Sequence, residues 1–301
     1  MIVGATASGK SVLAMELARR RPGVELVSMD SMALYRGMDV GTTAPTAAER
    51  AEVPHHLVDL VNPTEDFTVS EFQVAARRAL DDMEGRGARA VLVGGTGLHV
   101  RAVVDDLEIP GRYDEVRVAL DADDDTPGLH TRLAGLDPVA AGRMEPTNRR
   151  RVVRALEVTL GSGRPFSSFG PGLEAYPATP FTQVGLRVDR EVLDRRIADR
   201  YRHQLEDGFL DEVRWLAALD GGPSRSAAQA LGYSELLAHL RGECTLADAI
   251  ADAVAATRRF ARRQERWFRR DPRIEWFDVG ADPLKVLEAV LERFDRCGDP
   301  G

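Results

Sequence analysis

Lysine and cysteine are nearly missing from this chain: of 40 cationic residues only Lys10 and Lys285 are lysines, and the cysteines are Cys244 and Cys297 alone. The two cysteines lie far apart and form no C-x-x-C pair, so reduced thiols in a cytoplasmic enzyme are expected. No apolar run approaches the roughly 18–20 residues that a bilayer-crossing helix needs, so no membrane partner is expected. No charged-then-apolar secretory pattern opens the chain, because a glycine-rich loop already begins at residue 4. Internal repeats are absent. So is an excess of positive charge: the formal net charge of −8 argues, as an average, against a polyanionic partner.

What is present is an ordinary globular composition, 44% hydrophobic and 29% charged over 301 residues, enough for one large domain or one domain carrying a subdomain. "GATASGKS", Gly4 to Ser11, has the form G-x-x-x-x-G-K-[ST]. Ile2-Val3 before it and "SVLAMELARR" after it supply the strand–loop–helix setting that this signature requires. Backbone N–H groups of Gly4, Ala5, Thr6, Ala7, Ser8 and Gly9, with the following helix's N-terminus, suit a di- or triphosphate. Lys10 should reach terminal phosphate oxygens, and the Ser11 hydroxyl should ligate Mg²⁺. A lysine kept here by an arginine-using chain fits the need for a compact ammonium between phosphate oxygens. The first strand is short; either the start codon lies upstream or the strand is simply brief. The loop alone does not choose among kinases, NTPases and transferases.

Further apolar runs follow, "VELVSMD", "PHHLVDLV" and "ARAVLVGGTG", separated by turns or helical stretches such as "TVSEFQVAARRALDDMEGRG". This rhythm predicts an α/β fold, a P-loop NTPase-like doubly wound parallel sheet with ligands at the carboxyl ends of the strands. From about residue 111 the rhythm stops. "DADDDTPG" reads as an acidic loop, "GLHTRLAGLDPVAAGRM" and "NRRRVVRALEVTLGSG" as helices, and "GRPFSSFGPGLEAYPATP" as a Gly/Pro/Ser-rich loop. The expected organisation is a core domain of residues 1–111 and 179–301, with 112–178 a mainly helical insertion. "FTQVGLRV" returns as a strand. The C-terminal part is helical to about 271, where Asp271-Pro272 stops the last long helix, and "RIEWFDV" adds a final strand.

Asp30, at the end of the second strand, has several readings. It could orient an acceptor hydroxyl, help to hold magnesium, take a proton from another nucleophile, or merely cap the next segment. "VLVGGTG" lacks the Walker-B aspartate; Gly94 and Gly95 admit close backbone approach, and Thr96 adds a hydroxyl. In "TRRFARRQERWFRRDP", arginines 258, 259, 262, 263, 266, 269 and 270 fall within about 140° of one another on a helix. Only Glu265 and Asp271 offset them locally. Such a stripe on an acidic protein reads as a landing strip for nucleic-acid phosphates, the alternative being scattered pairing with the 48 acids. "NRRRVVR" is a second such cluster. His55-His56, on a strand, point to opposite faces and do not suit a metal. Asp123 to Asp125 lack calcium-loop spacing, and Trp215 and Trp276 read as packing.

Taken together, "GATASGKS", "SMDSMALYRGMDVGT", "PHHLVD", "VGGTGLHV", "RRVVRALEV", "AAQALGYSE" and "TRRFARRQERWFR" resemble the tRNA dimethylallyltransferase (tRNA isopentenyltransferase) family, in its order, from residue 4 to about 270. The resemblance implies transfer of the dimethylallyl group from dimethylallyl diphosphate to the exocyclic N6 amine of the adenine just 3′ of the anticodon in tRNA. The partner implied is the anticodon stem-loop, and a monomer is expected. The glycine loop would then hold a leaving diphosphate, Asp30 would accept the amine proton, Thr96 would lie near the reacting groups, and Arg117 in "YDEVR" would contact substrate. The matching tRNA-contacting segments are Asp30, Ser31, Met32 and Ala33; Arg150, Arg151, Val152, Val153 and Arg154; Gln229, Gly232 and Tyr233; and Arg262, Arg263, Gln264, Arg266, Trp267 and Arg269. Three residues depart from the pattern: Ala33 stands where Gln is common, His99 where Tyr is usual, and Arg266 where Thr is common. Two rival readings remain, a small-molecule P-loop kinase and an RNA-binding protein that uses NTP as a switch.

Overall fold

The computed structural model describes residues 1–297. The chain folds as two compact units, Met1–Val104 with the chain from Ala178 onward, and Asp105–Pro177. The second unit thus begins seven residues before position 112.

The first unit is built on six strands, β1 (Ile2–Gly4), β2 (Val24–Ser28), β3 (His55–His56), β4 (Arg89–Gly94), β5 (Gln183–Arg187) and β6 (Ile274–Asp278). All pair in parallel, in the order β3-β2-β4-β1-β5-β6. The expected doubly wound parallel sheet is therefore the observed one. The strands are near-continuous apolar runs because helices cover both faces. The two-residue period sends Ile2, Val24, Leu26, Val91, Val184 and Leu186 to one face and Val3, Val27 and Leu92 to the other.

The first face is covered by α1 (Lys10–Arg20) through Leu13, Ala14 and Leu17. The chain then forms two short helices, α2 (Asp39–Thr42) and α3 (Ala47–Glu52), before α4 (Val69–Gly85) and α5 (Gly97–Val104) reach the second face with Phe72, Ala76, Val100 and Val104. Thr46 and Thr68 open α3 and α4 with complete capping boxes, each answered by a Glu at N3.

The second unit holds α6 (Asp114–Asp121), α7 (Thr126–Leu136), α8 (Pro138–Ala141) and α9 (Arg149–Ser162) around Leu120, Leu129, Leu133, Val152, Val153 and Leu156. The acidic stretch expected as a loop is one only at 122–125, its ends being helical. Asp121 closes α6, and Asp125 caps α7 by accepting from the Gly128 amide at 3.0 Å. Arg149 serves the other end of the same turn, donating to the carbonyls of Leu120, Asp121 and Asp123 at 3.3, 3.0 and 2.7 Å.

Back in the first unit come α10 (Arg190–Glu206), α11 (Phe209–Ala217), α12 (Arg225–Ala228), α13 (Tyr233–Leu240) and α14 (Leu246–Phe268). α14 buries Ala249, Ala253, Thr257, Ala261, Gln264 and Phe268, the i, i+4, i+8 stripe of an amphipathic helix. The long helix ends at Phe268, three residues before Asp271. A last helix, α15 (Leu287–Arg296), lays Leu287, Val290 and Leu291 against α1's face of the sheet. α15 was not expected from the sequence, although its apolar residues fall at i, i+3 and i+4. Among the described residues no helix is long and apolar enough to cross a membrane.

Candidate active site

The sheet order decides the site. β2, β4 and β1 are adjacent, so the segments leaving their carboxyl ends meet: Asp30, then Gly95-Thr96, then Gly4–Ser11. A crevice of about 440 Å³ opens there, lined among others by Thr6, Asp30, Thr96, Arg200, Ser31, Met32, Gln229, Tyr233 and Arg263.

The phosphate loop is held from outside as well as by its own turn. Gly9 is in the left-handed region at φ 93°, and a Cβ there would stand 2.5 Å from Pro283, so the C-terminal segment packs directly on the loop. Ala7 also has positive φ, 62°, a costly conformation for a residue with a Cβ. Arg196 steadies it by donating to the Ala7 carbonyl at 3.2 Å and to the Ala281 carbonyl at 2.6 Å. Gly9 caps α1 without a side chain, so no side chain covers the first amides of that helix. Lys10 Nζ donates to the Ala5 carbonyl at 2.7 Å. Burial first, and then the neighbouring Arg200, pull the Lys10 pKa down to about 7, with Asp30 partly opposing them.

Arg200 was not foreseen. It donates to the Thr6 hydroxyl at 3.0 Å from α10, where burial lowers its pKa and Asp30 raises it. Only its spacing could have pointed to it: Arg196 and Arg200 precede Ile197 and Tyr201, the buried stripe of α10, by one residue each. Nearby, the Glu212 carboxylate accepts the amides of Asp39, Val40 and Gly41 at 2.8, 2.8 and 3.0 Å and the Tyr233 hydroxyl at 2.5 Å. This fixes α2 and Tyr233 as crevice wall. Burial and the Glu212 carboxylate drive the Tyr233 pKa far above the ordinary phenol range, so the hydroxyl stays a donor. Asp30 accepts the Met32 amide at 2.8 Å and so shapes its own turn while facing the crevice.

The residues expected to touch RNA differ in exposure. Ala33, Gly232 and Tyr233 are buried, and Gln264 is 7% exposed with its amide engaged by the chain. Trp267 packs on the Gly97 turn, where a Cβ would lie 2.3 Å from its ring. Val152 and Val153 are the packing side of α9 in the helical unit's core, because a helix nearly four turns long must bury one face there. Arg150 and Arg151 are exposed on that helix, whereas Arg154 donates to Glu157 at 2.6 Å and to the Pro110 carbonyl at 2.8 Å. Arg117, in the same unit, is engaged by Asp121 at 2.7 Å and lies 3.7 Å from Glu157.

The arginine stripe of α14 divides. Arg263 faces the crevice, while Arg258, Arg262, Arg266 and Arg269 join Arg187 and Arg190 around a second hollow of about 600 Å³. It is not free of acids. Asp194 stands 3.7 Å from Arg258, and Glu265 pairs with Arg269 at 2.5 Å. His55 and His56 are structural, on the Val53 carbonyl at 2.8 Å and Glu25 at 2.6 Å. Among the described residues no group of three or more His, Cys, Asp or Glu side chains could hold a metal. His99 packs edge-on to Phe72 at 4.6 Å, and burial lowers its pKa to about 4, so it is neutral near pH 7.

Residues 33–271 match the family model described as IPP transferase. The chain belongs to the IPP transferase family. Among curated relatives, the tRNA dimethylallyltransferase of Streptomyces coelicolor is 47% identical over 98% of this chain and 95% of its own. That of Pseudarthrobacter chlorophenolicus is 48% identical over 96% of each chain. The solved structure of the tRNA isopentenylpyrophosphate transferase from Bacillus halodurans matches with a TM-score of 0.71 at 36% identity, covering 98% of this chain and 95% of that one. A eukaryotic dimethylallyltransferase shares the fold, at 24% identity and a TM-score of 0.76 over 94% of this chain and 74% of its own. Membership of the IPP transferase family makes the chain a prenyltransferase, and the small-molecule kinase reading is not favoured.

Proposed function

We propose that this IPP transferase family member moves the dimethylallyl group of dimethylallyl diphosphate to the exocyclic N6 amine of the adenine 3′ of the anticodon in tRNA. The observation that carries the reading is the meeting of the phosphate loop, Asp30 and Thr96 in one crevice, with Arg263 of the arginine helix in its wall.

In this reaction the allylic C–O bond breaks and a C–N bond forms, so negative charge grows on the departing diphosphate. The uncapped amides of α1, Lys10 and Arg200 are preformed to receive it. A bound diphosphate favours the protonated form of Lys10, whose pKa burial otherwise lowers to about 7, the proton being taken up from solvent. Asp30 accepts the proton that the amine sheds as it becomes a nucleophile. Thr96, in the same crevice lining as Thr6, holds the reacting groups together. The target base reaches them only by leaving its stack.

Magnesium fits the donor present, since the exposed Ser11 hydroxyl at the start of α1 is a hard oxygen ligand of the kind that shares Mg²⁺ with substrate phosphates. When bound, held by Ser11, it would neutralise diphosphate charge. Arg150, Arg151, Arg262 and Arg266 supply phosphate contacts to RNA. The setting proposed is the cytoplasm, with the protein working as a monomer.

The test is incubation with undermodified tRNA, labelled dimethylallyl diphosphate and Mg²⁺. Label is expected on the RNA. Folded protein that binds tRNA but transfers nothing, or a phosphorylated product made from ATP, overturns the reading.

A further inference from the structure

Gln264 lies on the buried face of a helix whose exposed face carries arginines, and its side chain ties two loops together. Its Oε1 accepts the Thr6 amide at 2.8 Å, and its Nε2 donates to the Gly95 carbonyl at 2.8 Å. One loop leaves β1 and the other leaves β4, the neighbouring strand. A primary amide suits the place, offering one acceptor and one donor from a single planar group. The fit is close. A Cβ on Gly95 would stand 2.3 Å from Gln264 Nε2 and 3.1 Å from the Gly4 carbonyl. One helical turn on, a Cβ on Gly97 would stand 2.3 Å from Trp267. α14 therefore presses on both glycines that flank Thr96.

We propose that Gln264 is a positioning residue for the transfer reaction: its amide fixes the spacing between the phosphate loop and the Thr96 turn. Because the Thr6 N–H is committed to Gln264, it is not a phosphate donor. The bond instead orients Thr6, whose hydroxyl faces the crevice and accepts from Arg200. The order of dependence is Gln264, then Thr6, then Arg200. A buried amide with both ends engaged does not serve as an RNA contact, although neighbouring Arg263 and Arg266 remain exposed.

The inference rests on the reading above only in taking a diphosphate as the loop's ligand, so inorganic pyrophosphate with Mg²⁺ and no RNA is the probe. In Gln264→Met, which keeps the volume and removes both hydrogen bonds, pyrophosphate affinity by calorimetry should fall about tenfold, the scale of one net buried hydrogen bond or slightly more. The KM for dimethylallyl diphosphate should rise and kcat should fall, while tRNA binding measured without diphosphate stays at the wild-type value. Weakened tRNA binding with intact pyrophosphate binding, or no change in either, overturns the proposal.

If that variant folds poorly or loses both affinities, a cycle of Gly95→Ala, Gln264→Ala and the double variant decides. The added methyl collides with the Gln264 amide, so Gly95→Ala should weaken pyrophosphate binding in the wild type and cost little more once Gln264 is alanine. Fully additive losses overturn the strut. Wild-type protein that binds pyrophosphate but labels no RNA would count against the prenyl-transfer reading and leave this proposal standing.

Discussion

Arg200 reaches from α10 to the Thr6 hydroxyl at 3.0 Å, so a guanidinium stands over the same phosphate loop whose Lys10 is already short of a counter-charge. Two cations beside one phosphate loop repel each other, and Arg200 is one cause of the lowered Lys10 pKa. The energetic sense of the arrangement is that the bound diphosphate is stabilised by groups the fold holds in place beforehand.

Removing Arg200 should therefore act on the diphosphate and not on RNA. Arg200→Met is expected to raise the KM for dimethylallyl diphosphate by about 10- to 100-fold, the value of a charged hydrogen bond. The tRNA Kd should be unchanged. Steady-state kinetics with each substrate varied in turn checks the split.

Lys10 predicts proton uptake. Its pKa is lowered to about 7, chiefly by burial. A bound diphosphate raises it, so the complex holds more protons than the free protein at pH values from about 7 upward. Affinity should accordingly weaken as pH rises through that range. Calorimetry in two buffers of different ionisation enthalpy should show uptake that is smaller in Lys10→Met. Equal uptake in both proteins would remove Lys10 as its source.

Asp30→Asn preserves the acceptor for the Met32 amide, so the turn should survive. A carboxamide does not take the amine proton, and kcat should drop by about 10²- to 10⁴-fold while tRNA binding persists. Single-turnover transfer at saturating substrates is the measurement. Full activity would show that the proton leaves by another route.

At the sheet edge, buried Glu25 accepts from Arg86 at 2.7 and 3.0 Å and meets His56 at 2.6 Å. Arg86 foremost, and then His56, hold its pKa down to about 2 against burial, from an ordinary 4.5. Because the folded value is the lower one, this stability is present above about pH 4.5 and is lost as pH falls towards 2, an amount on the order of 3 kcal/mol. Glu25→Gln should lower the melting temperature at pH 7 and flatten the acid limb of the stability curve between those values. An unaltered acid limb would show that other groups govern it.

The parts of the site that were legible before folding are those written in contiguous residues. The loop at Gly4–Ser11 needs its glycines, lysine and serine at fixed separations because one turn must offer successive amides to one ligand. The arginines of α14 announce themselves through a 3.6-residue period. Arg200 and Gln264 were different. One was hidden among other arginines of α10, and the other was read with the RNA-contacting run around it. Their work depends on which atoms lie across from them, Thr6 in both cases, and that partner is 194 residues away for one and 258 for the other. The burial of Val152 and Val153 was hidden for the same reason, since only the packing of α9 on α6 and α7 shows which face is turned inward.

Local sequence by itself determined the phosphate loop, the strand and helix periods, the capping residues and the strand ends at which chemistry could sit. These follow from backbone geometry over a few residues. The strand order β2-β4-β1 was decided only by tertiary structure, because burying both faces of a parallel sheet under helices selects which strands become neighbours. That choice is what brings Asp30, Thr96 and Thr6 of the phosphate loop to one crevice, and what sets Gln264 across the gap between two of the three loops.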